Sequence, residues 1–174
     1  MSPGNGSTNG PGNGSTNGSG NGFFHPYAHE LPDFSESSAN IEEGPAIETG
    51  EMRITVRTEY AENQSNPHRW RYVFVYHIRV ENVGKEPAQL FWRHWHIHDP
   101  VAGEHEVEGE GVIGETPLLD PGDVFEYNSF CVLHGPMGHM EGFYHFRRRD
   151  GSVFRAPIPR FFMQAPPGAG SYLA

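Results

Sequence analysis

Polar and apolar residues alternate with a period of two through most of residues 51 to 166, the spacing that points successive side chains to opposite faces of a β-strand. Ile54, Val56, Thr58 and Tyr60 alternate with Arg53, Thr55, Arg57 and Glu59. Beyond a loop expected at 61–69, Trp70, Tyr72, Phe74, Tyr76, Ile78 and Val80 fall on one face and give the strongest strand signal in the chain. Asn82-Val83-Gly84-Lys85 reads as a turn, and the next strand runs from Ala88 to His98. A short acidic strand follows at 104–108. After the turn at Pro121-Gly122-Asp123, Phe125, Tyr127, Ser129 and Cys131 share a face. Met140, Gly142, Tyr144 and Phe146 alternate along another strand, Asp150-Gly151 signals a hairpin, and Val153 to Pro157 and Ile158 to Met163 close the pattern. Pro157 and Pro159 place that last segment at a sheet edge, because proline cannot donate to a ladder.

No segment sustains a 3.6-residue period between helix caps. About seven short strands in a stretch of this length predict an all-β fold, a two-sheet β-sandwich of the fibronectin type III or immunoglobulin-like kind. No Cys…Trp…Cys spacing occurs, so the fibronectin-like form is the better match.

Composition divides the chain. The first 22 residues are almost entirely Gly, Asn, Ser, Thr and Pro, with GNGSTNG occurring twice; such a segment has no apolar surface to offset the entropy of ordering. Glu30, Asp33, Glu36, Glu42, Glu43 and Glu48 follow with no Lys or Arg among them. Residues 1–50 are therefore expected to be a disordered leader with an acidic linker, 51–166 the folded domain, and 167–174 a flexible tail. The formal charge is −10, with 22 acidic against 12 basic residues. A negative surface repels phosphate backbones and argues against nucleic acid as a partner; Arg147-Arg148-Arg149 is too short a run to reverse that. Cys131 is the single cysteine, so no disulfide framework exists within the chain. No apolar run approaches the roughly 20 residues of a membrane helix. With no secretory or mitochondrial pattern at the N-terminus, no membrane insertion and a cytoplasmic location are expected.

Three features could carry chemistry. Gly109-Glu110-Gly111-Val112-Ile113-Gly114 matches G-x-G-x-x-G, but Pro117 and Pro121 prevent the helix a dinucleotide site needs, and Glu106, Glu108, Glu110 and Glu115 surround it with negative charge. Glycines that let a loop cross the end of a sandwich explain the motif better; Gly109, Gly111 and Gly114 stay candidates for binding a small anion through loop amides. His94, His96 and His98 share one face of their strand, about 7 Å apart, a spacing at which two imidazoles can converge on one divalent metal, with Asp99, His105, His139 or His145 as further ligands. Imidazole suits Zn, Ni, Co or Cu and not Mg, while a merely polar strand face explains the same pattern without a metal. Ser129, Cys131 and His134 lie close in sequence, yet Ser129 and Cys131 share the face of Phe125 and Tyr127 and are expected to pack inward. No catalytic constellation emerges and no cofactor is required.

From Arg71 onward, blocks of sequence resemble the ApaG domain family. They are Arg71-Tyr72-Val73-Phe74-Val75-Tyr76, Glu108 through Pro117, Leu119-Asp120-Pro121-Gly122, Tyr127-Asn128-Ser129, Gly138 through Tyr144, and Ile158-Pro159-Arg160-Phe161. The blocks keep the family's order and spacing over roughly residues 51–166. The resemblance implies a fibronectin type III-like sandwich without established catalysis. It further implies an association with cobalt resistance and magnesium efflux in bacteria, and a protein-interaction role where related domains occur in F-box proteins and in a polymerase delta-interacting protein. His96 and His98 belong to no signature of that family, Leu133-His134-Gly135-Pro136 departs from its usual loop, and no F-box-like helical segment is present. The expected function is a non-enzymatic binding module for an unidentified protein partner or a small anionic ligand. The alternatives are a divalent-metal binder using the histidine strand and, less favoured, an enzyme acting on phosphate esters.

Overall fold

The computed structural model describes residues 45–169. The leader expected before residue 45 and the tail beyond 169 lie outside those residues. Among the described residues nine strands run in chain order as β1 (Ala46–Thr49), β2 (Met52–Tyr60), β3 (Tyr72–Asn82), β4 (Ala88–Asp99), β5 (Gly103–Glu110), β6 (Leu118–Leu119), β7 (Val124–Leu133), β8 (Met137–Arg148) and β9 (Val153–Gln164). β1 precedes the domain start expected at Glu51 and pairs with β2 from Ala46↔Thr55 to Thr49↔Met52.

The strands form two antiparallel sheets, ordered β1-β2-β3-β7 and β5-β4-β8-β9, with the short β6 pairing the start of β4. The fold is an all-β two-sheet sandwich. β9 is one unbroken strand that carries both Pro157 and Pro159 at the edge of the second sheet, where their missing N–H groups cost no ladder bond. Beside that edge, the Thr58 hydroxyl of β2 donates to the Phe162 carbonyl at 3.0 Å and ties the two sheets together.

The core fills the space between the sheets. Ile54, Val56, Phe74, Ile78, Leu90, Trp95, Tyr144, Phe146 and Met163 are among its fully buried members, each on the inward parity of its strand. Trp95 sits at the centre. Its ring lies 5.6 Å from Tyr76, 5.9 Å from Phe161 and 6.2 Å from Tyr144, the last two edge-on, an arrangement that the ring quadrupoles favour. Buried against these rings, the Tyr127 and Tyr144 hydroxyls are 2.5 Å apart.

Trp70 departs from the alternation that placed it on the inner face of β3. Pro67–Arg69 form a short 3-10 turn whose end Trp70 occupies with a left-handed backbone, φ 55°, and its amide donates to the Pro67 carbonyl at 3.0 Å. The strand therefore starts at Tyr72, and Trp70 stands 62% exposed.

Candidate functional site

Pairing registers of the second sheet fix which side chains share its outer face. Glu104 of β5, His98 of β4, His139 of β8 and Phe162 of β9 form one row across the sheet. Glu106, His96, Glu141 and Arg160 form the next, where a bulge in β9, with Pro159 and Arg160 opposite Glu141, accompanies contact of the Arg160 guanidinium with both Glu141 oxygens at 3.0 and 2.7 Å. A third row holds Glu108, His94, Phe143 and Pro157, and a fourth Glu110, Trp92, His145 and Arg155. Residues paired across strands project to the same side, so the grid is one continuous surface.

The predicted histidine face is thus real: His94, His96 and His98 all point outward, while Trp95 and Ile97 between them are buried. The imidazoles do not converge. His94 stacks on Phe143 at 4.8 Å, and His98 stacks on His139 at 4.7 Å. Glu104 pairs with His98 Nδ1 through one oxygen and, at 3.1 Å, with His96 Nε2 through the other. Among the described residues no group of three or more His, Cys, Asp or Glu side chains is arranged to hold a metal ion. Hydrogen bonding from His98 holds the Glu104 carboxyl below its usual range, although burial works the other way. Burial and the nearby Arg160 guanidinium lower the His139 imidazole, and burial together with Arg155 lowers His145. Arginines complete the surface, with Arg155 4.6 Å over the Phe143 ring and Arg147 4.4 Å over Phe91.

The glycine motif occupies the end of β5 and the turn after it. Val112 and Glu115 exchange backbone hydrogen bonds of 2.8 Å in both directions, and Ile113 and Gly114 between them have φ 45° and 80°, the signs of a type I′ turn. A β-branched residue at such a position is strained, and Ile113 stands half-exposed at the turn's tip. A Cβ on Gly111 would lie 2.1 Å from the Glu115 carbonyl oxygen, and one on Gly109 3.1 Å from Arg93 Nη2, whereas Gly114 faces open space. The amides of Gly111, Val112 and Glu115 are committed to the carbonyls of Phe91, Glu115 and Val112. They are not turned toward a ligand.

Arg93 explains why the turn sits where it does. Inward parity buries its guanidinium, and Nη1 donates to the carbonyls of Glu110 at 2.8 Å and Gly111 at 2.7 Å. Its positive charge also reaches the buried hydroxyls of Tyr76, Tyr127 and Tyr144, where it opposes the upward push of burial; Tyr76 is nevertheless raised to about 12. The sequence offered one signal for Arg93, a charged residue in a position whose neighbours two and four places on, Trp95 and Ile97, face the core.

Asp99 is one of the four further ligands the histidine strand could recruit, but inward parity turns it away from that face. It is a buried clamp between two loops. Oδ1 accepts from the Val101 amide at 2.9 Å and Oδ2 from the His134 amide at 2.6 Å, with His134 Nδ1 3.4 Å away. Burial alone would raise this carboxyl, but the amides of His134, Val101 and Ala102 outweigh it, and the carboxyl sits below the ordinary range. A depressed carboxyl contributes stability above its unfolded pKa of about 3.9, and that contribution disappears as pH falls through the folded value. Asp99→Asn is expected to cost about 2 kcal/mol at pH 7. The gap to wild type should close below about pH 4 in denaturant titrations run across pH; a gap independent of pH would contradict the clamp. Cys131 is buried, its thiol pushed up to about 12 by burial, so little thiolate exists at neutral pH.

The family model for the ApaG domain matches residues 62–148. Protein ApaG of Thiobacillus denitrificans is 48% identical over 116 residues, which span 67% of this chain and 91% of that protein. Protein ApaG of Rhodospirillum centenum is 44% identical over 120 residues, 69% of this chain and 92% of the relative. The crystal structure of the ApaA protein of Bordetella pertussis superposes with a TM-score of 0.65 at 40% identity, covering 71% of this chain and 98% of that one. A two-sheet sandwich that shares this much sequence over nearly the full length of its relatives leaves one assignment: the chain belongs to the ApaG family.

Proposed function

We propose that this protein is a non-catalytic binding module that engages a protein partner through the outer face of its second sheet. The observation that carries the reading is the composition of that face. Phe162 is 69% exposed and Met137, two residues along β8 from His139 on the same side, 51%; nearby, His98 is stacked on His139, and His94 and Arg155 on Phe143. Aromatic and arginine side chains held rigid at a surface are the types that dominate protein interfaces, because they bury much area while losing little rotamer freedom. The small-anion reading draws less support, since three amides of the glycine turn are bonded internally. The divalent-metal reading suggested by the family's association with cobalt and magnesium draws less as well, since the imidazoles pair with carboxylates and rings.

Affinity capture from a lysate of the source cells tests the proposal with three baits: wild type, Phe162→Asp combined with Arg155→Glu, and Arg53→Glu on the first sheet as a control. A specific protein should be retained by wild type and control and lost from the face variant. Equal recovery on all three baits would refute a role for this face. Turnover of any member of a phosphate-ester panel with Mg²⁺ or Mn²⁺ would refute the non-catalytic reading.

A further inference from the structure

The four rows of the outer face are charged unevenly from edge to edge. Glu104, Glu106, Glu108 and Glu110 line the β5 edge, while Arg160 and Arg155 stand on β9 at the other. Glu106 and Glu110 make no ion pair among the described residues, nor does Arg155. Register sets these groups level with one another: Glu106 shares a row with Arg160, and Glu110 shares a row with Arg155, each pair separated by the width of the sheet.

Such an arrangement is self-complementary under one symmetry operation. A two-fold axis parallel to the strands keeps each row at its level and reverses the order of strands, so β5 of one copy faces β9 of the other. Glu106 then meets Arg160 and Glu110 meets Arg155, each twice, as a two-fold interface requires. His96 meets Glu141, and His94 meets Phe143, in the same operation. A two-fold axis across the strands would instead lay the glutamate column on its own copy, four carboxylates against four, and is excluded by repulsion. We infer that this face docks a second copy of the chain, sheet on sheet, with the axis along the strands. The inference rests on reading the face as a docking surface and names its occupant.

The size of the face sets the strength. Four strands about 4.8 Å apart and four rows about 6.8 Å apart give roughly 500 Å² per protomer, side-chain margins included. That is below the about 800 Å² per partner of a standard stable interface, so the association is weak and reversible.

Sedimentation equilibrium on the full chain tests it. The weight-average mass of wild type should rise with concentration from one copy toward two, and fall back as salt is added. Glu110→Arg and Arg155→Glu should each raise the dissociation constant about tenfold, because each homodimer then contains like charges twice. An equimolar mixture of the two variants should recover wild-type association, since every contact in the mixed dimer is again opposite in sign. Glu106→Arg with Arg160→Glu repeats the test on a second row, and thermal melts confirm that each variant is folded. Wild type that stays a monomer at every concentration overturns the dimer, and so does a mixture that fails to recover. If wild type is monomeric while the face variant still loses a captured protein, the dimer falls and the docking reading stands. Equal capture on all baits removes the docking reading independently.

Discussion

Trp95→Ala is expected to remove about 3–5 kcal/mol of stability, the largest loss of any single core truncation in this domain. The indole is 2% exposed and packs between the two sheets against Tyr76, Phe161 and Tyr144. Its neighbours come from three strands, β3, β8 and β9, so no one of them can relax into the vacated volume without moving a ladder. The cost therefore has two parts: the lost transfer of the ring and a cavity that stays open. A domain of this size loses roughly 4 °C of melting temperature per kcal/mol, so the variant should melt well below wild type. Chemical denaturation checks the prediction; a loss under about 1.5 kcal/mol would mean that the core collapses around the site.

Arg93→Met is expected to cost about 2–4 kcal/mol, with its effect concentrated at the glycine turn. Methionine replaces the aliphatic part of the arginine but leaves the Glu110 and Gly111 carbonyls without the Nη1 donor. Burial then penalises two unsatisfied acceptors. Hydrogen exchange separates this from a general core defect. The amides of Gly111, Val112 and Glu115 should lose protection ahead of those in β3 and β7, which pair on the other sheet. Uniform loss of protection across both sheets would show that Arg93 supports the core and not the turn.

Much of the fold was legible because strand periodicity is local. Side chains alternate every residue whatever the strand's partners are, so the ranges of β2, β4, β7 and β8 follow from polar and apolar spacing to within a few residues. The same parity told that His94, His96 and His98 face one way and Trp95 and Ile97 the other. Trp70 broke the rule for a local reason that hydrophobicity does not encode, a proline-led 3-10 turn ending in a left-handed residue. β1 and β6 were missed because strands of four and two residues are too short to display a period.

Candidate chemistry was legible in type but not in arrangement. Three outward imidazoles on β4 are a property of the sequence; that each meets a carboxylate or a ring depends on β5 and β8 being its neighbours. The glycine motif announced a tight approach of backbone, and Gly111 against the Glu115 carbonyl is that approach. Nothing in the motif revealed Arg93, 16 positions before Gly109, as the group that anchors it, since the contact exists only through the pairing of β4 with β5.

By itself, then, the sequence determined the class of fold, the parity of each long strand and the family, all of which depend on short-range spacing and on residue identity. Tertiary structure decided the rest: which strands are neighbours, which edges are open, and which charges share a row. Those depend on registers between segments far apart in the chain. Slipping one register by a residue would exchange the faces of an entire strand without altering the sequence pattern. The histidine face was visible from the start; the acidic edge beside it and the arginines across from it became one surface only when β5, β4, β8 and β9 paired in that order.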